Sequence, residues 1–308
     1  MKLVTYKDNN SPRFGALVNG RVLDLARASA AYHAADGSIK AIPDRIEAFF
    51  DAIVDLSPSL KKVVERFTGS GAADGALSRP LAEVKLLAPI TRPPKIVCVA
   101  RNYAEHAKEA GLEISPIPIL FPRFSNTFVA DGDPVVVPSV SSQLDWEGEL
   151  AVIIGKNTNG KRLTKAEAMD YVFGYSIFND VTVRDYQFRV TQYTAGKNFR
   201  ASGPFGPTIV TADEIPDPAN LDIRTTLNGE VMQSANTATM IYDIPTILEH
   251  ISDFIDLEAG DVIPTGTPAG VGFKRKPPIF LKHGDRISVE IPSVGTLTNP
   301  VVNEGSAA

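Results

Sequence analysis

Two apolar segments bordered by carboxylates constrain this chain more than any other feature. They lie within residues 144–185, as LDWEGELAVIIGK and then YVFGYSIFNDVTVRD. Residues 150–154 are apolar without a break, the pattern of a strand covered on both faces. Just ahead of them, Glu147 and Glu149 are two apart, so in an extended chain they point the same way, about 7 Å from each other. The second apolar run, 171–178, reaches Asn179 and Asp180 and offers a third carboxylate. Acids at the mouth of such a strand are costly to desolvate without a cation or another partner. Three hard oxygen donors with no Cys or His nearby suit Mg²⁺, Mn²⁺ or Ca²⁺ better than Zn²⁺.

The 308 residues can hold one large domain, or a small one and a large one. Asp and Glu outnumber Lys and Arg, 36 to 31, and the basic residues form no run, so no nucleic-acid partner is expected. The single cysteine, Cys98, excludes an internal disulfide framework and a Cys-rich metal site. No apolar stretch approaches the ~18 residues of a membrane span, and the N-terminal MKLVTYKDNN lacks a signal-peptide core. A cytoplasmic protein with no membrane partner is the expectation.

Residues 1–88 read as a small N-terminal α/β unit. MKLVTYK, FGALVNG and RVLDLA are short strands, with Asn19-Gly20 a hairpin turn. The spacing of Ile46, Phe49, Phe50 and Ile53 predicts a helix within 42–67. A Gly/Ala/Ser-rich stretch, 68–78, predicts a loop or linker before a larger unit, 89–308. His33 is expected on the surface.

In the larger unit, KIVCVA reads as a buried strand and Asn102 as the cap of a short helix. On that helix His106 and Glu109 are three apart, hence on one face. A carboxylate beside an imidazole orients it and raises its basicity, which suits a general base; the spacing equally fits an exposed amphipathic helix. A proline-rich segment follows, with Pro116, Pro118, Pro122 and Arg123, the last available to an anionic substrate or to a surface ion pair. Lys197 follows a glycine but lacks the rest of a phosphate-loop motif. Beside acidic ligands it can stabilise an oxyanion, or it is a solvated loop lysine. LNGEVMQ carries a second Asn-Gly turn, and 243–257 predicts an amphipathic helix with Ile247, Leu248, Ile251, Phe254 and Ile255 on its apolar side. His250 on that helix reads as structural, and His283 as exposed. GDVIPTGTPAGVGF reads as a strand breaking into a Gly-rich loop able to offer backbone N–H groups to a carboxylate. Its spacing is no dinucleotide fingerprint. Strands outnumber helices, so the expected class is α+β, a β-rich mixed fold with a rolled sheet.

Taken together, CVARNYAEHAKE, DWEGELAVIIGK, YVFGYSIFNDVTVRDYQ, GKN, GPFGP, LNGEVMQ, GDVIPTGTPAGVG and LKHGDRISVEI resemble the fumarylacetoacetate hydrolase family. The match runs over about residues 90–303 in the family's order; the N-terminal unit is like the small leading domain that many members carry. The resemblance implies a divalent metal, Mg²⁺ or Mn²⁺ with Ca²⁺ possible, on Glu147, Glu149 and Asp180. It makes the helix with His106 and Glu109 a lid that brings a His–Glu pair to a water, and Lys197 the active-site lysine. It assigns Arg101, Tyr103, Arg123, Arg184, Gln187 and Thr267 to the substrate. Two positions depart from the family pattern: Arg123 stands where many members have lysine, and Arg200 where many have aspartate. A forked arginine holds an anion differently from a point-charge lysine.

The implied reaction is hydrolysis of a C–C bond in a 2,4-dioxo acid through a metal-stabilised enolate, in a homodimer and in the breakdown of aromatic compounds. The same enolate serves isomerisation of a 2-oxo diacid or decarboxylation of oxaloacetate. A non-catalytic metal-binding module is the alternative from another class.

Overall fold

The computed structural model describes residues 1–69, 75–111 and 113–306. The middle of the expected 68–78 linker, 70–74, lies outside the described residues. Among the described residues short strands build two main sheets, with few helices and no closed barrel, the β-rich α+β class expected.

The larger sheet has ten strands. Its main order is Val262–Pro264, Gly148–Ile154, Val172–Asn179, Gly203–Thr211, Lys2–Asp8, Ser11–Val18, Arg21–Asp24, Ser78–Pro80. The unbroken apolar run at 150–154 has its explanation here. All seven residues of Gly148–Ile154 are buried, and successive side chains enter different cores. Leu150, Val152 and Ile154 pack with Ile223, Val289 and Leu297 of the five-stranded second sheet. Ala151 and Ile153 face the other way, into a core with Ile46, Phe49 and Phe50. Lys2–Asp8 pairs with Gly203–Thr211, Leu3 opposite Ile209, so the N-terminal strands extend the same sheet.

Both Asn-Gly turns form as the sequence predicts. Asn19 and Gly20 have φ of 49° and 73°, Asn228 and Gly229 of 54° and 87°, the twist that two-residue hairpins need. Two helical expectations are corrected. The stretch 42–67 is two helices, Ile46–Asp51 and Ile53–Gly69, separated at Ala52, whose φ/ψ of −127°/24° is not helical. The C-terminal helix spans only Ile244–Ser252; Asp243 caps it by accepting from Thr246 N at 2.9 Å. Phe254, beyond its end, is 65% exposed instead of joining the apolar face.

Asp261, at the head of Val262–Pro264, is fully buried. It pairs with Lys95 at 3.1 Å and accepts from Glu258 N, but its Oδ1 has no partner among the described residues. Burial is the largest influence on it and pushes its pKa up to about 6. A carboxyl raised in the folded state holds its proton to higher pH than in the unfolded chain. The native state therefore loses stability as pH climbs from about 4 to about 6, by up to about 3 kcal/mol, and the loss persists above that. Urea midpoints taken across this window are expected to fall in the wild type relative to Asp261→Asn; parallel curves exclude the effect.

Candidate metal centre and cavity

Antiparallel pairing of Gly148–Ile154 with Val172–Asn179, Gly148 opposite Asn179, sets Glu147 beside Asp180. Asp180 N donates to Glu147 O at 2.8 Å, and Glu147 N to Asn179 Oδ1 at 3.0 Å. Glu147 thus lies just ahead of the strand rather than within it. Glu147, Glu149 and Asp180 are all buried, each with an oxygen within 4.8 Å of the other two.

Cations meet these acids unequally. Glu147 receives Arg184 Nη1 at 2.6 Å and Lys197 Nζ at 2.7 Å. Burial opposes its ionisation, but Lys197 and Arg184 outweigh that and hold its pKa well below the usual range. Asp180 receives Arg123 Nη1 and Lys197 Nζ, both at 2.5 Å. Among the described residues Glu149 receives only Gly266 N, at 2.8 Å. Burial, then Asp180 and Glu147, push its carboxyl well above the ordinary value. A fully buried carboxylate with like charges on two sides and no cationic side chain is what a divalent ion would neutralise. The all-oxygen donor set fits Mg²⁺, Mn²⁺ or Ca²⁺.

Beside the cluster lies a cavity of about 310 Å³. Glu147, Glu149, Lys197, Arg184, His106 and Arg101 line it, with Gln187, Thr267 and an aromatic wall of Phe121, Tyr193 and Phe273. Lys197 closes the short helix Thr194–Lys197 and is 2% exposed, so it is no solvated loop lysine. Arg101 has a left-handed φ of 57°, costly outside glycine, and donates to Tyr193 OH at 2.7 Å. His106 and Glu109 lie on the helix Ala104–Ala110. Their Nδ1–Oε2 distance is 3.5 Å, and His106 Nδ1 makes no hydrogen bond to any described residue. Glu109 instead accepts from Gly270 N.

Two residues assigned to the substrate lie elsewhere. Arg123 is buried behind Asp180, bonded to it and to Ser202, and does not line the cavity. Tyr103, 2% exposed and with its hydroxyl unpartnered, borders a separate hollow with Ser234 and Pro268. Asn102 is not the helix cap; Tyr103 holds that place without a side-chain bond. Asn102 instead donates to Tyr242 O and Thr265 O and accepts from Tyr242 N, at 2.8–2.9 Å. Gly266 makes room for it, since a Cβ there would sit 2.7 Å from Asn102 Cβ. Asn102→Ala strands three backbone groups at the root of the helix carrying His106, Thr265 O buried and the two of Tyr242 half-buried. Urea unfolding is expected to show a loss of about 3 kcal/mol; a loss under ~0.5 kcal/mol refutes that role.

The Gly-rich loop after Val262–Pro264 presents backbone N–H groups as expected, but to the protein's own acids. Gly266 serves Glu149, Gly270 serves Glu109, and Gly272 and Phe273 serve Asp145. Asp145 was not among the residues singled out from the sequence. The alternation of acids at 145, 147 and 149 was the signal that marks it.

A strand-rich α+β fold that buries three carboxylates beside a cation-lined cavity is a protein able to hold one divalent ion. Residues 95–302 match the fumarylacetoacetate (FAA) hydrolase C-terminal family, and the chain belongs to that family. It is 42% identical over 257 residues to the mitochondrial oxaloacetate tautomerase FAHD2A of Homo sapiens, covering 80% of this chain and 81% of the relative. The fumarylacetoacetate hydrolase of Exiguobacterium antarcticum superposes with TM-score 0.78 at 37% identity, over 99% of this chain and 100% of that one. The 2-hydroxyhepta-2,4-diene-1,7-dioate isomerase of Mycobacterium marinum does so with TM-score 0.73 at 33% identity, again over 99% and 100%. The relatives are thus named as enzymes of three reaction types, and the family's enzymes use divalent metals. Among the described residues no helix is long and apolar enough to cross a membrane.

Proposed function

We propose that this chain is a divalent-metal-dependent enzyme that interconverts the keto and enol forms of a small 2-oxo diacid, oxaloacetate being the first candidate. One observation carries the reading. Three cationic side chains, Arg101, Arg184 and Lys197, and two of the three clustered carboxylates, Glu147 and Glu149, line one cavity of about 310 Å³, which has room for a short dianion. The tautomerase name of the human relative supports the choice among enolate reactions.

Glu147, Glu149 and Asp180 would hold the divalent ion, which would supply Lewis-acid stabilisation of negative charge on the substrate. The remaining roles fall to the chain. Arg184 and Arg101 receive the two carboxylates of the substrate, and the aromatic wall excludes water. Lys197 Nζ adds positive charge beside the 2-oxo oxygen. His106, with Nδ1 toward Glu109, has Nε2 to take the C3 proton and deliver it to the 2-oxo oxygen as that oxygen becomes an enolate, giving the enol. Every one of these residues falls in 89–308, the proposed catalytic unit, and assembly as a homodimer belongs to the same proposal.

The second reading is hydrolysis of a C–C bond in a 2,4-dioxo acid. His106 beside Glu109 favours it, because attack by water needs an oriented base. At 3.5 Å the pair is not hydrogen-bonded, whereas proton transfer within one substrate needs only the single imidazole, so tautomerisation is preferred. The test follows decay of enol absorbance of oxaloacetate with Mg²⁺ or Mn²⁺, pyruvate release, and ¹⁸O uptake from water with an acylpyruvate panel. Metal-dependent enol decay without pyruvate supports the first reading. Label in a new carboxylate selects the second, and inertness toward all of these substrates defeats both.

A further inference from the structure

Arg184 belongs to the cavity wall, yet most of its guanidinium is spent on the protein. Nε donates to Asp145 Oδ2 at 2.8 Å, and Nη1 donates to Glu147 at 2.6 Å and to Gln187 Oε1 at 2.9 Å. The Phe273 ring centroid lies 4.2 Å from its central carbon. Nη2 alone has no partner among the described residues, although the residue is 2% exposed. A buried, unpaired N–H group of a cation is expensive unless something meets it, and the open space at Arg184 is the cavity it lines.

The group that fixes this orientation is Asp145. It is fully buried, does not line the cavity, and has both oxygens saturated. Oδ1 accepts from Trp146 N at 2.8 Å and Gly272 N at 2.7 Å, and Oδ2 accepts from Phe273 N at 3.0 Å and Arg184 Nε. Three backbone N–H groups hold the carboxylate still, so it in turn holds the guanidinium still. The glycine permits this: a Cβ at Gly272 would stand 2.7 Å from Asp145 Oδ1 and 2.0 Å from Ile279 O.

We infer that Asp145 is a positioning residue for substrate binding, orienting Arg184 so that Nη2 is presented to the cavity as the donor for one carboxylate of the substrate. This rests on the proposed diacid reading only for the identity of the substrate; the geometry requires just an anionic oxygen. Asp145 contributes no contact of its own to the ligand. It fixes the Arg184 fork against Glu147 and Gln187, and ties the Gly272–Phe273 backbone to the same point.

The test is Asp145→Asn, which can keep the Oδ1 acceptor but sets an amide N–H₂ against the N–H groups of Arg184 and Phe273. Oxalate serves as the probe of anion binding, by calorimetry with Mg²⁺ present, so the result does not depend on turnover. Oxalate affinity is expected to fall about tenfold in Asp145→Asn. With oxaloacetate, KM is expected to rise by a similar factor while kcat falls less. In an Arg184→Lys background, which has already lost the fork, Asp145→Asn is expected to add less than a twofold further loss. An equal loss in both backgrounds means Asp145 acts independently of Arg184 and overturns the inference. So does a fall in kcat with KM unchanged, or failure of the wild-type protein to bind oxalate. If Asp145→Asn does not fold, Asp145→Glu, which keeps the charge but displaces the carboxylate from Arg184 Nε, takes its place: unchanged oxalate affinity overturns the inference, and a loss that shrinks below twofold in the Arg184→Lys background upholds it. Oxalate binding by a wild type that leaves oxaloacetate untouched sinks the proposed reaction and not the role of Asp145.

Discussion

Glu149→Gln is expected to destroy turnover and, in metal-free protein, to raise stability. The two signs have one cause. Glu149 is the member of the acidic cluster that no cationic side chain among the described residues meets; Gly266 N is its sole partner there, and burial with two neighbouring acids pushes its pKa far up. Gln keeps the Gly266 bond through its amide oxygen and removes the charge problem, which is worth about 1–3 kcal/mol to the metal-free fold. The same change takes one of three anionic donors from a bound divalent ion. Loss of Lewis-acid stabilisation costs several kcal/mol of the barrier, so turnover is expected to fall at least ~10³-fold. Chelator-treated wild type and variant are compared by urea unfolding, then titrated with Mn²⁺ followed by its paramagnetic resonance signal. A variant that binds Mn²⁺ like the wild type, or that is less stable without metal, contradicts this account of the cluster.

Lys197→Met is expected to shift metal-free stability in the opposite direction. Its ammonium touches Glu147 and Asp180 at 2.7 and 2.5 Å, and all three groups are buried. Removing it leaves Glu147 with Arg184 alone and Asp180 with Arg123 alone, an under-compensated buried network, at about 3–5 kcal/mol. Met is apolar and of similar length, so packing is largely kept and the loss is electrostatic. Because Mg²⁺ can then supply the missing positive charge, stabilisation by a fixed excess of Mg²⁺ is expected to be larger in the variant than in the wild type. Turnover is expected to fall about 10²–10³-fold, the range for removing one preorganised donor from developing negative charge. Metal-free Lys197→Met as stable as the wild type, or one that gains no more from Mg²⁺, refutes the bridging role.

The family resemblance, the strand class and the acidic cluster were legible because each rests on short-range pattern. Glu147 and Glu149 are two apart, residues 150–154 are unbroken apolar chain, and Asn-Gly marks both hairpins. Phe254 shows where such patterns mislead: helical spacing assigned it to the core, but the helix stops at Ser252 and periodicity carries no information past the last turn. Asn102 misled for a related reason. Its type suits a cap, yet its partners, Tyr242 and Thr265, are 140 and 163 residues away. Nothing local distinguishes a capping amide from one that stitches distant backbone together.

Charge placement was the least legible part of the site. Arg123, Arg184 and Lys197 are identical in formal charge, but Arg123 sits behind Asp180, Arg184 is fixed by Asp145, and Lys197 bridges two acids from a position 50 residues beyond Glu147. The sequence by itself determined which oxygen donors exist, which strands carry them and that these strands are covered on both sides, since alternation and hydrophobicity act between near neighbours along the chain. Only the tertiary structure decided which acid lacks a cation, which guanidinium nitrogen is left for a ligand and which hydroxyl is buried alone. Those outcomes depend on distances between segments that meet only after the sheets have formed, where burial makes a charge sensitive to every partner within a few ångströms.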